Sequence, residues 1–136
     1  MKVVLHPNVL KAALTSTGAS HRLLEELPSM KFDIQMSAPL LLEYEATLTR
    51  RCVPLEDLNI VLGVIAAFSY ATKLHYLWLP ILPNVTDDMV LELAVESKTE
   101  IIITLDKKDF LLAKERVDIR IMTPREFWHL LWEQRK

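Results

Sequence analysis

Residues 100–104, EIIIT, and residues 2–5, KVVL, are apolar almost without a break. A strand with one face in water alternates apolar and polar side chains, whereas a run of this kind hides both faces, as strands of a parallel sheet do. Three further runs read as strands: Phe32–Met36, Tyr76–Leu79 (the weakest) and Ile119–Met122. Between the strands, apolar residues recur at three- and four-residue spacing. That predicts helices over Asn8–Leu14, Ser20–Leu27, Pro39–Arg50, Leu55–Leu74, Asp88–Ser97, Asp109–Lys114 and Pro124–Glu133. Strands alternating with helices predict parallel pairing, right-handed crossovers and helices on both faces. The expected fold class is therefore α/β, a small three-layer α/β/α sandwich with a central parallel sheet of about five strands.

Boundary residues agree with this layout. Pro39 and Pro124 suit first helical turns, where the missing N–H would have had no partner. Thr123, with Glu126 three residues on, reads as a capping box. The proline-rich LPILPNVTDD, residues 79–88, is the clearest loop. It is expected to be an active-site or crossover loop rather than a domain boundary, which leaves one domain over residues 1–136.

Composition narrows the function classes. A chain of 136 residues buries roughly 65–70% of its unfolded surface, enough for a proper core. With 51% hydrophobic and 25% charged residues, it has an ordinary globular balance. The formal net charge of −2 excludes a bulk basic field for nucleic acid, so any such contact must use local clusters. Candidates are Arg50–Arg51, Lys107–Lys108 and the scattered Lys114, Arg116, Arg120 and Arg125, whose plainer reading is a solvated surface. The lone Cys52 excludes an intrachain disulfide and suits a reducing compartment. His6-Pro7-Asn8 interrupts the opening apolar residues too early for a signal peptide, and the longest apolar run, Ile60–Ala71, is too short to span a bilayer. The expectation is a cytoplasmic protein with no membrane contact. Two glycines, Gly18 and Gly63, exclude the phosphate-binding loops that need several. No HExxH, CxxC or GxSxG motif occurs.

In a parallel sheet the C-terminal strand ends share one edge, so the polar groups that collect there matter most. The first strand supplies His6 and Asn8. The second ends at Ser37, and the helix after it carries Glu43. The NVTDD turn brings Asn84, Asp87 and Asp88, and IIITLDKKDF brings Thr104, Asp106 and Asp109. Acidic groups converging on one edge point to a hard divalent cation, Mg²⁺ or Mn²⁺, with a bound water as nucleophile. Plainer readings stay open beside this one. Asp87 and Asp88 also suit the positive end of a helix dipole, and Asp106 and Asp109 suit turn or N-cap positions. Glu43 is harder to dismiss, because its helical neighbours Leu40, Ala46 and Thr47 are not basic and a carboxylate there wants a partner or a metal. His21, His75 and His129 have no ligand spacing and read as surface or interface residues. Trp128, Leu131 and Trp132 read as a helix face packed on the sheet.

Taken together, VVLHPNVL, SAPLLLEYEATL, LWLPILPNVTDDMVLELAVES, IIITLDKKDF and IRIMTPREFWHLL resemble the PIN-domain family, in particular its bacterial toxin-like branch. The likeness runs over nearly the whole chain, in order. DDMVLELA followed by IIIT and KKDF is its most specific part. The resemblance implies a PIN fold and a Mg²⁺- or Mn²⁺-dependent endoribonuclease, often the toxin of a toxin–antitoxin pair and commonly a homodimer. It implies RNA as substrate and an antitoxin protein as partner. By motif position it implies Glu43, Asp87 and Asp106 as catalytic and metal-holding acids, with His6, Asn8, Ser37, Asn84, Thr104 and Asp109 in support. The sequence departs from the family pattern at two places. The family's VVLDTNVL has an aspartate where this chain has His6 and a threonine where it has Pro7, and Asn84-Val85 stands where the family tends to Asp-Pro. Imidazole suits later transition metals better than Mg²⁺, so the expected activity is weak or lost. The alternative is a non-catalytic PIN domain that binds RNA or an antitoxin-like protein. A receiver-like phosphoacceptor domain is set aside because it needs an acidic pair after the first strand.

Overall fold

The computed structural model describes residues 1–15, 18–29, 31–74 and 80–134, with the backbone alone for Gln134. In chain order the elements are β1 (Lys2–Leu5), α1 (Pro7–Thr15), α2 (Ala19–Glu26), β2 (Asp33–Met36), α3 (Ala38–Arg50), α4 (Leu55–Ala67), β3 (Ser69–Ala71), α5 (Val85–Glu96), β4 (Ile101–Ile103), α6 (Leu111–Lys114), β5 (Arg120–Met122) and α7 (Pro124–Gln134). Short 3-10 turns cover Leu27–Ser29 and Lys107–Phe110.

The sheet is five-stranded and entirely parallel, in the order β3-β2-β1-β4-β5. The two runs that carried the fold prediction lie side by side, with Val3 opposite Ile101, Val4 opposite Ile102 and Leu5 opposite Ile103. Val3, Val4, Ile102 and Ile103 are wholly buried, as strands covered on both faces must be. One group of packed helices comprises α1, α2 and α7; α3, α4 and α5 form another, and α1 also meets α3. This is the expected α/β/α sandwich.

Its topology fixes where a site belongs. The chain runs outward from β1 through β2 to β3, then returns to the other side of β1 for β4 and β5. The reversal lies between β1 and β4, and the crevice beyond the C-terminal ends of such neighbours is where open parallel sheets bind ligands.

The helix predicted over Leu55–Leu74 is shorter than its apolar pattern. It ends at Ala67, and Ser69–Ala71 leave it to pair with β2, Ile34 opposite Ser69 and Met36 opposite Ala71. Thr72 N–H then donates to the Met36 carbonyl at 2.7 Å. Without this strand the outer backbone groups of β2 would be unpaired, and that tertiary demand overrides helical propensity. The helix predicted over Asp109–Lys114 is also corrected, into the 3-10 turn Lys107–Phe110 followed by α6. The strand expected at Tyr76–Leu79 lies outside the described residues.

Helix ends follow the sequence closely. Pro7 and Pro124 open their helices, and α3 has proline in its first turn with Ser37 Oγ accepting from Leu40 N–H at 3.2 Å. Thr123 and Glu126 form the reciprocal capping box, at 3.1 and 2.9 Å. Leu131 is buried and Trp128 packs at the core's margin under the Arg22 guanidinium, whereas Trp132 is half exposed, so only part of that stripe is core.

Candidate functional site

At the reversal, His6 leaves β1 with its backbone N–H donating to the Ile103 carbonyl of β4 at 2.9 Å. Tyr44, fully buried on α3, donates its hydroxyl to the Leu5 carbonyl at 2.6 Å and so anchors the residue before His6. Burial pushes the Tyr44 phenol far above its ordinary range, so it stays a donor. The junction is pinned from both sides.

The His6 ring is fixed at both nitrogens. The backbone N–H of Asn8 donates to Nδ1 at 3.1 Å. Since a backbone N–H can only donate, Nδ1 is the bare nitrogen of the neutral ring and Nε2 carries the proton. Nε2 in turn donates to Asp87 Oδ1 at 2.6 Å. Both side chains are mostly buried, 13% and 9% exposed. Phe110 packs edge-on against the ring, with centroids 6.1 Å apart.

Asp87 and Asp88 stand in the first turn of α5 and do different work. Asn84 caps that helix, its Oδ1 accepting from Asp87 N–H at 3.0 Å. Asp87 faces His6, while Asp88 turns back to accept from Ile81 and Leu82 N–H at 2.9 and 3.0 Å, tying down the proline-rich loop. On the β4 side, Asn8 Nδ2 donates to Thr104 Oγ1 and Leu105 N–H donates to Asn8 Oδ1, both at 3.3 Å. Thr104 Oγ1 also accepts from Asp106 N–H at 3.3 Å. Asn8 and Thr104 thus stitch together the two strand ends that border the crevice.

Glu43 has the partner its helical neighbours do not supply. Arg50, seven residues on, donates from Nη2 to Glu43 Oε1 at 3.2 Å, and Thr86 Oγ1 donates to the same oxygen at 3.1 Å. Two helical turns bring residue 50 back over residue 43, a spacing outside the three- and four-residue neighbours from which Glu43 is read as unpaired. The carboxylate that wants a partner or a metal is answered by Arg50.

His6, Asn8, Glu43, Asn84, Asp87 and Asp109 line one cleft of about 280 Å³ together with Lys11, Arg50, Arg51 and Thr86. Partial desolvation at the cleft and the negative charges of Asp106 and Asp87 hold the Asp109 carboxyl above its ordinary value, against the opposing pull of Lys108 and His6. Ser37, Thr104 and Asp106 stand outside the lining: Ser37 caps α3, Thr104 braces Asn8, and Asp106 precedes the 3-10 turn without capping it by side chain. Pro7, Lys11, Thr47, Arg50, Arg51 and Thr86 are lining residues that the sequence alone does not assign to the site. For two of them the signal was helical phase: Lys11 is one turn beyond Asn8, and Arg50 two turns beyond Glu43.

A hard divalent cation needs several oxygens free to converge on it. Here Glu43 Oε1 is held by Arg50 and Thr86, and Asp87 Oδ1 by His6. Among the described residues no three His, Cys, Asp or Glu side chains converge as ligands. The donor set as arranged does not fit a divalent ion. Nor, among the described residues, is any helix long and apolar enough to cross a membrane.

Two solved structures share this fold. One is VapBC2 from Rickettsia felis bound to a DNA fragment from their promoter, with TM-score 0.62 and 14% identity over 90% of this chain and 98% of that one. The other is FitAcB from Neisseria gonorrhoeae, with TM-score 0.53 and 14% identity over 93% of this chain and 99% of that one. No curated protein matches the sequence. The family model described as PIN domain matches residues 2–108, which include β1, β4 and every cleft-lining residue except Asp109. The chain belongs to the PIN-domain family.

Proposed function

We propose that this PIN domain is of the toxin type and that its Mg²⁺- or Mn²⁺-dependent endoribonuclease activity is weak or lost. One observation carries the reading: the 2.6 Å bond from His6 Nε2 to Asp87 Oδ1. It places a neutral donor where the family pattern has an acid, and it occupies an oxygen that would otherwise face a cation. Asn84, the second departure, caps α5 rather than adding charge. In this reading Glu43, Asp87 and Asp106 are the acids a restored site would use for metal and catalysis. His6, Asn8, Asn84, Thr104 and Asp109 shape the crevice, with Ser37 behind it. RNA, an antitoxin-like protein and a second copy of the chain are the proposed partners, in the cytoplasm.

A second reading, a binding module that docks an antitoxin-like protein, has its own support. A groove of about 570 Å³ lies between α1, α2 and α4, floored by Leu14, Leu24, Val61 and Val64 and rimmed by Glu25 and Asp57. It fits a partner helix with an apolar face flanked by basic residues.

The test is cleavage of single-stranded RNA in Mg²⁺ and in Mn²⁺. The wild type is expected to cleave poorly or not at all. His6→Asp combined with Asn84→Asp is expected to cleave, and adding Glu43→Ala to abolish that gain. A folded double variant without activity refutes the account of the loss.

A further inference from the structure

We infer that Arg50 supplies, from within the chain, the charge compensation otherwise expected of a divalent ion, and that Lys11, Arg50 and Arg51 bind the phosphodiester backbone of single-stranded RNA without metal. The inference rests on the reading of this cleft as the RNA-facing site.

The geometry starts at Glu43, whose side chain is only 22% exposed and lies under the 66% exposed side chain of Arg50. A single nitrogen, Nη2, makes the bonds of that guanidinium to Glu43 Oε1 and to Thr47 Oγ1, each 3.2 Å. A guanidinium carries five N–H groups in a planar fork. One edge of Arg50 is therefore spent on Glu43 and Thr47, while Nε and Nη1 remain for a ligand. Paired phosphate oxygens suit that fork better than a point charge would.

The neighbouring cations strengthen the case. Lys11, half-buried on α1, and Arg51, exposed at the end of α3, line the same cleft. Neither side chain has a hydrogen-bond or ion-pair partner among the described residues. The acids are placed differently. Glu43 is compensated by Arg50, and Asp87 is turned onto His6. Acidic groups thus gather at the strand ends, while uncompensated positive charge gathers along the seam where α1 meets α3. A polyanion can lie along that seam with no cation shielding it from Glu43, because Arg50 is already there. This differs from a site in which a bound ion must first neutralise the carboxylates.

The experiment measures anisotropy of a short labelled single-stranded RNA titrated with the full chain, in EDTA and in Mg²⁺ at matched ionic strength. Expected is equal affinity in the two buffers. Lys11→Ala with Arg51→Ala, two exposed or half-exposed changes whose folding is checked by circular dichroism, should weaken binding in both buffers. It should also flatten the slope of log K against log salt by about 1.4, two contacts at about 0.7 each for a single strand. Arg50→Ala should weaken binding in EDTA more than in Mg²⁺, since it uncovers Glu43. Binding abolished by EDTA, or variants that bind like wild type with the same salt slope, overturns the inference. The two proposals fail separately. EDTA-sensitive RNA binding beside cleavage by the His6→Asp, Asn84→Asp variant removes this one alone; EDTA-resistant binding beside an inactive double variant removes only the account of lost cleavage.

Discussion

His6→Asp is the most informative single change. In the wild type a neutral imidazole donates to a carboxylate at 2.6 Å with little water present, a bond worth about 1.5–3 kcal/mol. The substitution removes that donor and sets a second carboxylate opposite the first. With their charges roughly 5 Å apart, and an effective dielectric of about 20, the repulsion is about 3 kcal/mol. Protonation of one carboxyl limits the sum, so in EDTA at pH 7 the loss is expected at about 3–5 kcal/mol. That is a large share of the stability of an ordinary domain, about 5–15 kcal/mol. A divalent ion bound between the two acids reverses part of it, and ion present at about 100 times its dissociation constant restores about 2.7 kcal/mol. The pH sign follows. Repulsion raises one carboxyl's pKa in the folded state, so the penalty is present at neutral pH and fades below the ordinary carboxylate range. Urea unfolding followed by circular dichroism, with EDTA or millimolar Mg²⁺, measures each quantity. Wild type should be indifferent to the ion. A variant that loses less than about 1 kcal/mol in EDTA, or gains no more from Mg²⁺ than wild type does, refutes the reasoning.

Two further outcomes are expected. Tyr44→Phe removes the hydroxyl that donates to the Leu5 carbonyl inside the core and should lower stability by about 1–3 kcal/mol, seen as a lower urea midpoint at unchanged slope. Glu126 is held below the usual carboxylate range by the Thr123 backbone N–H and then by Lys107. A carboxyl depressed by folding adds stability that is present above its unfolded pKa and fades as pH falls through its folded value. Thermal unfolding of Glu126→Gln should therefore show a deficit at pH 7, about 0.5 kcal/mol for so exposed a pair, that closes by about pH 3.

The sheet was legible because its central strands announce themselves. KVVL and EIIIT are apolar throughout, and they pair directly. Helix starts were legible at Pro39, Pro124 and the Thr123–Glu126 box, because proline has no N–H to leave open there and the box satisfies the backbone donors that a helix start exposes. β3 was not, since Ser69-Tyr70-Ala71 carries no local signal and is a strand only because β2 has an edge to cover. In the site, motif position brought His6, Asn8, Glu43, Asn84, Asp87 and Asp109 into one cleft. The bonds among them were not readable. The His6–Asp87 contact spans 81 residues of sequence and depends on the sheet's reversal. The Arg50–Glu43 pair lies within one helix but two turns apart, beyond the three- and four-residue spacing that marks neighbours on a helix face.

The cleft draws its walls from chain segments around residues 6–11, 43–51, 84–87 and 109, each on a different crossover. No fragment of the chain contains a working portion of it. Anything that settles there bridges segments which separate only when the whole sheet comes apart, so its free energy adds to global unfolding rather than to local fraying. A bound partner should therefore slow proteolysis across the entire molecule, including α7, which lies outside the cleft.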